Sequence, residues 1–174
     1  LHELWSIAEH GVKQGRLPFP VMPPFDLAQS MFARLYFANG TAEHLPGAPD
    51  AALERFRLVY ASPHYRQDPV RGAVSSYKIF EHVPGALVSG IAGPGSRVDI
   101  RLVLQEPQGG QLVYSDATRA GRDGGYSFHV PYATDSSSGD FSPTGAYEVN
   151  VGGKTLMLQV TERAVQTGGA VSVQ

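Results

Sequence analysis

The chain contains no cysteine. Disulfides and thiolate-held metals are therefore excluded, and cysteine usage says nothing about redox compartment. Charge of one sign is scarce as well: 14 Lys and Arg stand against 16 Asp and Glu, a net charge of −2. No electrostatic argument for nucleic acid arises from that balance. No apolar run approaches the roughly 20 residues that a membrane-crossing helix needs, and no signal-peptide pattern opens the chain. The chain starts at Leu1, inside an amphipathic helical pattern and without methionine. This reads as a fragment whose N-terminal part is missing, so membrane attachment of a parent protein stays open. No GxSxG nucleophile elbow is present. The glycine clusters at Gly93-Pro94-Gly95 and 121–125 lie between strands, so they read as β-turns and not as phosphate loops.

What is present is a core-forming composition. Hydrophobic residues make up 42% of 174 residues, enough for one ordinary domain or two small lobes. Gly 20 and Pro 13 suit a β-rich, turn-dense chain. The stretch 74–93, VSSYKIFEHVPGALVSGIAG, divides the chain. Before it, apolar residues recur at helical spacing; after it, they alternate at strand period. The expected architecture is α+β: an N-terminal helical layer followed by an antiparallel β-sandwich or partly open β-barrel. Residues 1–73 would form a helical core region with one short strand, and 74–174 a β-rich lobe packed on it.

In the first part, Leu1, Leu4, Trp5 and Ala8 make a helical stripe. VKQGRLPFPVMPP at 12–24 is an extended connector, because its prolines break any helical ladder. Asp26 is the N-cap proposed for a second helix, in which Leu27, Met31 and Leu35 share a face; Asn39-Gly40 ends it. Asp50 would cap a short helix, AALERF, before a strand at Arg57–Tyr60. Residues 61–73 read as an exposed connection. Strands are expected near 74–83, 86–92, 96–105, 111–119, 125–132, 145–151, 154–161 and 170–173. Val98, Ile100, Leu102 and Leu104 form one inward row; Tyr126, Phe128 and Val130 form another. Met31, Leu35, Leu58, Tyr60, Ile79 and Val83 are expected to share a core.

Candidate chemistry is sparse. The histidines are His2, His10, His44, His64, His82 and His129, and no two have HExxH spacing. They read as surface or strand-face residues, with His129 toward solvent. Asp135 and Asp140 could offer oxygen to calcium, but the EF-hand pattern is absent, so 134–145 reads as a solvated loop of flexible composition. Asp116, Asp123 and Asp140 could meet only at strand ends. Tyr114, Tyr126, Tyr132 and Tyr147 could stack on sugars or fill the core. Asn39-Gly40-Thr41 is an N-x-T sequon, so Asn39 is the candidate glycosylation acceptor if the domain faces an exterior compartment. No catalytic, cofactor-binding or metal-ligating residue is assigned.

The blocks LPFPVMPPFDLAQSMFARLYFANG, ERFRLVYASP, YKIFEHVPGALVSG, GYSFHVPYAT, GAYEVNVGG and VTERAVQTGG follow in that order. Together they resemble the C-terminal soluble domain of archaeal-type oligosaccharyltransferase catalytic subunits, over essentially the whole chain. The resemblance implies transfer of a lipid-linked oligosaccharide to Asn of Asn-x-Ser/Thr sequons. It also implies catalytic acids and a divalent metal, Mn or Mg, in a multi-span membrane domain upstream. The implied partners are that membrane domain, the acceptor sequon and, through the membrane domain, the lipid-linked donor. The implied location is the exterior face of the cell membrane. The family's soluble domain carries a Trp-Trp-Asp motif that holds the sequon hydroxyl. Trp5 is the only tryptophan here, between Leu4 and Ser6, so that motif is missing. The first helix resembles the tail of the one bearing the family's second motif, which places Leu4 or Ile7 near its last apolar position. The isolated chain is therefore expected to be inactive. The alternatives are a secreted or cell-surface β-sandwich module that binds carbohydrate or protein, and a purely structural surface-layer domain.

Overall fold

A computed structural model describes residues 30–42, 51–68 and 72–173. The expected helix at 1–10, the connector at 12–24 and the caps at Asp26 and Asp50 lie outside the described residues. The described part is mostly β-sheet with two short helices, α1 (Met31–Tyr36) and α2 (Glu162–Thr167). No N-terminal helical layer is evident among these residues, and most of the positions expected to form it lie outside them. No barrel closes either, because the strand order in each sheet runs open.

The largest sheet is built on β6 (Arg97–Gln105) and β7 (Gln111–Arg119), paired antiparallel along their whole length. β10 (Tyr147–Val151) pairs with the other edge of β6, and β11 (Lys154–Leu158) with β10. β9 (Ser142–Pro143) joins β6 beyond β10. A second sheet has the order β12 (Ala170–Ser172), β5 (Ala86–Ile91), β8 (Gly125–Val130). Strand alternation puts Val98, Ile100, Leu102 and Leu104 on one face, and all four are buried as expected. Ala86, Val88, Phe128 and Val130 come from the second sheet into the same buried cluster. Each large apolar side chain so buried contributes about 1.5–3 kcal/mol. α2 returns the chain from β11 to β12, which lies parallel to β5. Val165, fully buried, seats the helix on the core.

Several local expectations need correction. AALERF is not helical: its last residue, Phe56, is drawn into β1 (Phe56–Ala61), opposite His82 of β4 (Lys78–His82), ahead of the strand expected from Arg57. Tertiary pairing outweighs a weak helical propensity there. The connection at 61–73 contains β2 (Tyr65–Asp68), which pairs with β3 (Gly72–Ser75) as an antiparallel ribbon. The single strand expected at 74–83 is thus split into β3 and β4. The strand expected at 154–161 ends at Leu158, and α2 follows where none was expected.

The loop at 134–145 is anchored despite its composition. Phe141 is buried, and the Asp140 amide donates to the Val59 carbonyl at 2.9 Å. That carbonyl is available because β1 bulges between Leu58 and Tyr60.

Of the six residues expected to share a core, only Leu58 and Val83 are in it. Met31 is 52% exposed and Ile79 54%. The short helix α1 buries Ala33 instead of Met31. On β4 it is Phe80, not Ile79, that packs against the core.

Candidate functional site

α1 is defined by its caps. The Ser30 hydroxyl accepts from the Ala33 amide, and after Tyr36 the chain turns left-handed at Asn39 (φ 55) and Gly40 (φ 74). Lys78 on β4 reaches across to this end. Its ammonium donates to the Tyr36 carbonyl at 2.6 Å and to Asn39 Oδ1 at 2.5 Å. A cation at a helix C-terminus is favoured by the helix dipole. The same ammonium lies 5.5 Å from the centre of the Tyr36 ring, which stacks on Phe32. The candidate acceptor Asn39 is therefore clamped through its side-chain oxygen. Thr41 of the same sequon is buried, and its hydroxyl donates to the Ala38 carbonyl at 2.9 Å. Sequence reasoning gave Lys78 no role and took S-x-x-K to be absent, but Ser75-Ser76-Tyr77-Lys78 has that spacing; the clamp engages Lys78 with the end of α1.

A second polar centre joins β1, β4 and α2. Arg57, whose side chain is only 5% exposed, bridges Glu81 and Glu162. Its Nε donates to Glu81 Oε2 at 2.8 Å, and its two terminal nitrogens donate to both oxygens of Glu162 at 2.8 and 2.9 Å. The Ser138 hydroxyl accepts a further bond at 3.2 Å. Burial alone would lower the Arg57 pKa, but the two carboxylates more than offset it and the net direction is upward. Glu162 moves down from its ordinary value, chiefly because Arg57 donates to it. The network tethers the β1–β4 ribbon to the helix at the far end of the chain.

The remaining sequence candidates do not assemble. His64 and His82 are exposed, and His82 packs edge-on against Phe56. His129 points away from the core but is partly covered, with Nδ1 3.6 Å from Glu54. His2, His10 and His44 lie outside the described residues. Asp135 accepts from the Glu162 amide, so it caps α2. Asp123 accepts from the Gly125 amide within its turn. Asp116 is buried and accepts from the Ala52 and Ala117 amides; burial pushes its pKa up, and those two bonds oppose the shift. Among the described residues, no three His, Cys, Asp or Glu side chains gather to hold a metal ion. These residues therefore do not fit the divalent metal that the resemblance places upstream.

Tyr114, Tyr126, Tyr132 and Tyr147 are all buried, so they are core residues and not sugar platforms. The Tyr132 hydroxyl accepts from the Leu58 amide, and the Tyr147 hydroxyl donates to the Tyr132 carbonyl.

Residues 85–171 match the protein family described as the archaeal glycosylation protein B (AglB) long peripheral domain. The match covers half of the 174 residues. The chain belongs to this family. The resemblance read from the sequence blocks is borne out at that level. No curated protein matches the chain.

Among solved structures, the Archaeoglobus fulgidus oligosaccharyltransferase in complex with Zn and sulfate is similar, with a TM-score of 0.70 and 16% identity. That likeness covers 87% of this chain and 25% of the other. AglB from the same organism, in complex with an inhibitory peptide and a dolichol-phosphate, gives 0.67 and 18%, over 84% of this chain and 22% of that one. The A. fulgidus enzyme tethered to an acceptor peptide containing the NVT sequon gives 0.68 and 16%, over 84% and 23%. These likenesses show a shared fold, and the AglB-family chain spans about a quarter of the length of the structures it matches. Among the described residues, no helix is long and apolar enough to cross a membrane.

Proposed function

We propose that the chain is a non-catalytic part of a membrane oligosaccharyltransferase, one that transfers a lipid-linked oligosaccharide to Asn of Asn-x-Ser/Thr sequons. The single observation that carries this reading is the family match over 85–171. The shared fold with enzymes solved in complex with acceptor or inhibitory peptides supports it. In this reading the domain lies on the exterior face of the cell membrane. Its partners are the enzyme's own membrane domain, the acceptor sequon and, through the membrane domain, the donor. A divalent metal, Mn or Mg, belongs with that membrane domain.

The physical chemistry agrees with a scaffold. An amide nitrogen is a poor nucleophile and needs carboxylates and a metal arranged around it. The described residues offer a clamp and an ion network instead. Residues 1–73 would join the domain to the rest of the enzyme, and 74–174 would form the peripheral lobe, with the β1–β4 pairing binding the two. α1 and Lys78 would buttress the pocket for the sequon hydroxyl, because such a pocket needs rigid support to hold its geometry. Asn39 would accept a glycan only before the fold closes over Thr41.

Two measurements test the reading. The gene upstream of Leu1 should encode many apolar spans followed by Trp-Trp-Asp; a signal peptide and tandem β modules there would refute it. In the full-length enzyme, Lys78→Ala should raise KM for a sequon peptide about 3- to 10-fold with kcat nearly unchanged. An unaltered KM would remove the buttress from the account.

A further inference from the structure

Strand alternation turns Arg97, Asp99 and Arg101 of β6 and Ser115, Ala117 and Arg119 of β7 away from the core. In the β6–β7 register, Arg97 stands directly opposite Arg119, and Arg101 opposite Ser115. Like charges facing each other across strands are destabilising, so the fold carries a cost here that core packing does not require. Arg97, Asp99, Arg101, Ser115 and Ala117 line part of a cleft of about 420 Å³. A second hollow of about 310 Å³ shares Arg97 and Ala117 with it and is lined further by Thr118 and Arg119. The small side chain of Ala117 leaves room between the arginines. The backbone holds one wall, since the Ala42 amide donates to the Ser115 carbonyl at 2.9 Å.

The neighbouring groups orient the arginine heads. Asp99 Oδ1 accepts from Arg97 Nε at 2.7 Å, and the Gly95 carbonyl accepts from Arg119 at 3.2 Å. Arg101 meets Glu148 only at 3.5 Å, with both side chains about half exposed. Arg97 and Arg101 thus border the first hollow together with Asp99, and Arg97 and Arg119 border the second. Guanidinium forks match the oxygens of a phosphate, and two at each hollow, with Arg97 common to both, suit a tetrahedral, multiply charged group better than a single carboxylate.

We propose that this arginine-lined surface of β6 and β7 binds a phosphate ester through Arg97 with its neighbours Arg101 and Arg119. The ester could be carried by a lipid headgroup or by a soluble sugar phosphate. The inference rests on this chain's own residues and not on the enzyme reading, so either can fail alone.

The test titrates the 174-residue chain with inorganic phosphate against chloride at matched ionic strength, followed by NMR of arginine Nε and backbone amides. A second arm sediments it with phosphatidylcholine vesicles, with and without phosphatidylglycerol. Saturable phosphate shifts at Arg97, Arg119 and 115–119 are expected. Arg97→Gln combined with Arg119→Gln should weaken binding roughly tenfold or more, while Arg163→Gln on α2 should not. Arg119→Gln alone gives a milder variant should the double one lose its fold. Sedimentation only with phosphatidylglycerol, lost in the double variant, assigns the ester to a lipid. Saturable phosphate binding without sedimentation assigns it to a soluble compound. Neither response, or responses that the arginine variants leave unchanged, would overturn the proposal.

Discussion

Single side chains separate groups that hold the fold from groups that merely fit in it. The Tyr114 hydroxyl is buried with no hydrogen-bond partner among the described residues, whereas Tyr132 accepts from the buried Leu58 amide. An unmet buried hydroxyl costs energy, and so does an amide deprived of its acceptor. Tyr114→Phe should therefore be neutral or stabilising by about 1 kcal/mol, and Tyr132→Phe destabilising by about 1–3 kcal/mol, in urea unfolding. Equal losses in both would contradict this division.

Arg57 is the more demanding case. Removing it leaves Glu81 and Glu162, whose side chains are 43% and 31% exposed and can take up water. Arg57→Ala should cost about 2–3 kcal/mol, near the low end for breaking a buried ion pair. The pH dependence follows from Glu162, whose folded pKa lies below its ordinary value of 4.5. A depressed carboxylate contributes stability above its unfolded pKa, and that contribution is lost as pH falls through the folded pKa. The urea midpoint should fall on acidification below about pH 4.5, and less steeply in Glu162→Gln. Parallel profiles for the two proteins would refute the role given to Glu162.

Among the elements, the loop at 134–145 shows how packing overrides composition. Gly139 has φ 60, and a Cβ there would meet the Val59 carbonyl oxygen at a clashing distance. Gly152 has φ 57, but open space around its Cβ position. Gly152→Ala should cost about 1 kcal/mol from backbone strain alone. Gly139→Ala should cost at least twice that, because the loop must leave the β1 bulge. Similar losses at both sites would show that the loop is not anchored as described.

Elements whose faces follow a simple period were legible in the sequence. The inward row of β6 is one, and the turn at Gly152-Gly153 between Val151 and Lys154 is another. Where a bulge or a tertiary partner sets the face, reading failed. On β4 alternation does not say which row is inward, and Ile79 was chosen where Phe80 packs. α2 was missed although its signals stand in VTERAVQTGG: Thr161 caps it, Glu162 sits in its first turn, and Gly168 ends it at φ 69. The helix is only six residues long, and its neighbours read as strand. The Arg57 network was not legible at all, since Arg57, Glu81 and Glu162 are brought together only by the fold.

On the scale of the whole molecule, the family was legible where the site was not. Ordered blocks along the chain point to the AglB peripheral domain, and the match over 85–171 agrees. The sequence holds no Trp-Trp-Asp motif, and among the described residues no group of side chains is placed to hold a metal ion. On the proposed reading, the domain supports chemistry performed on other parts of the polypeptide. The most direct measurement supplies the isolated 174-residue chain with lipid-linked oligosaccharide, a sequon peptide and Mn or Mg, and follows glycopeptide formation. No product above a protein-free control is expected, while the full-length enzyme turns over. Glycopeptide made by the isolated chain would contradict it.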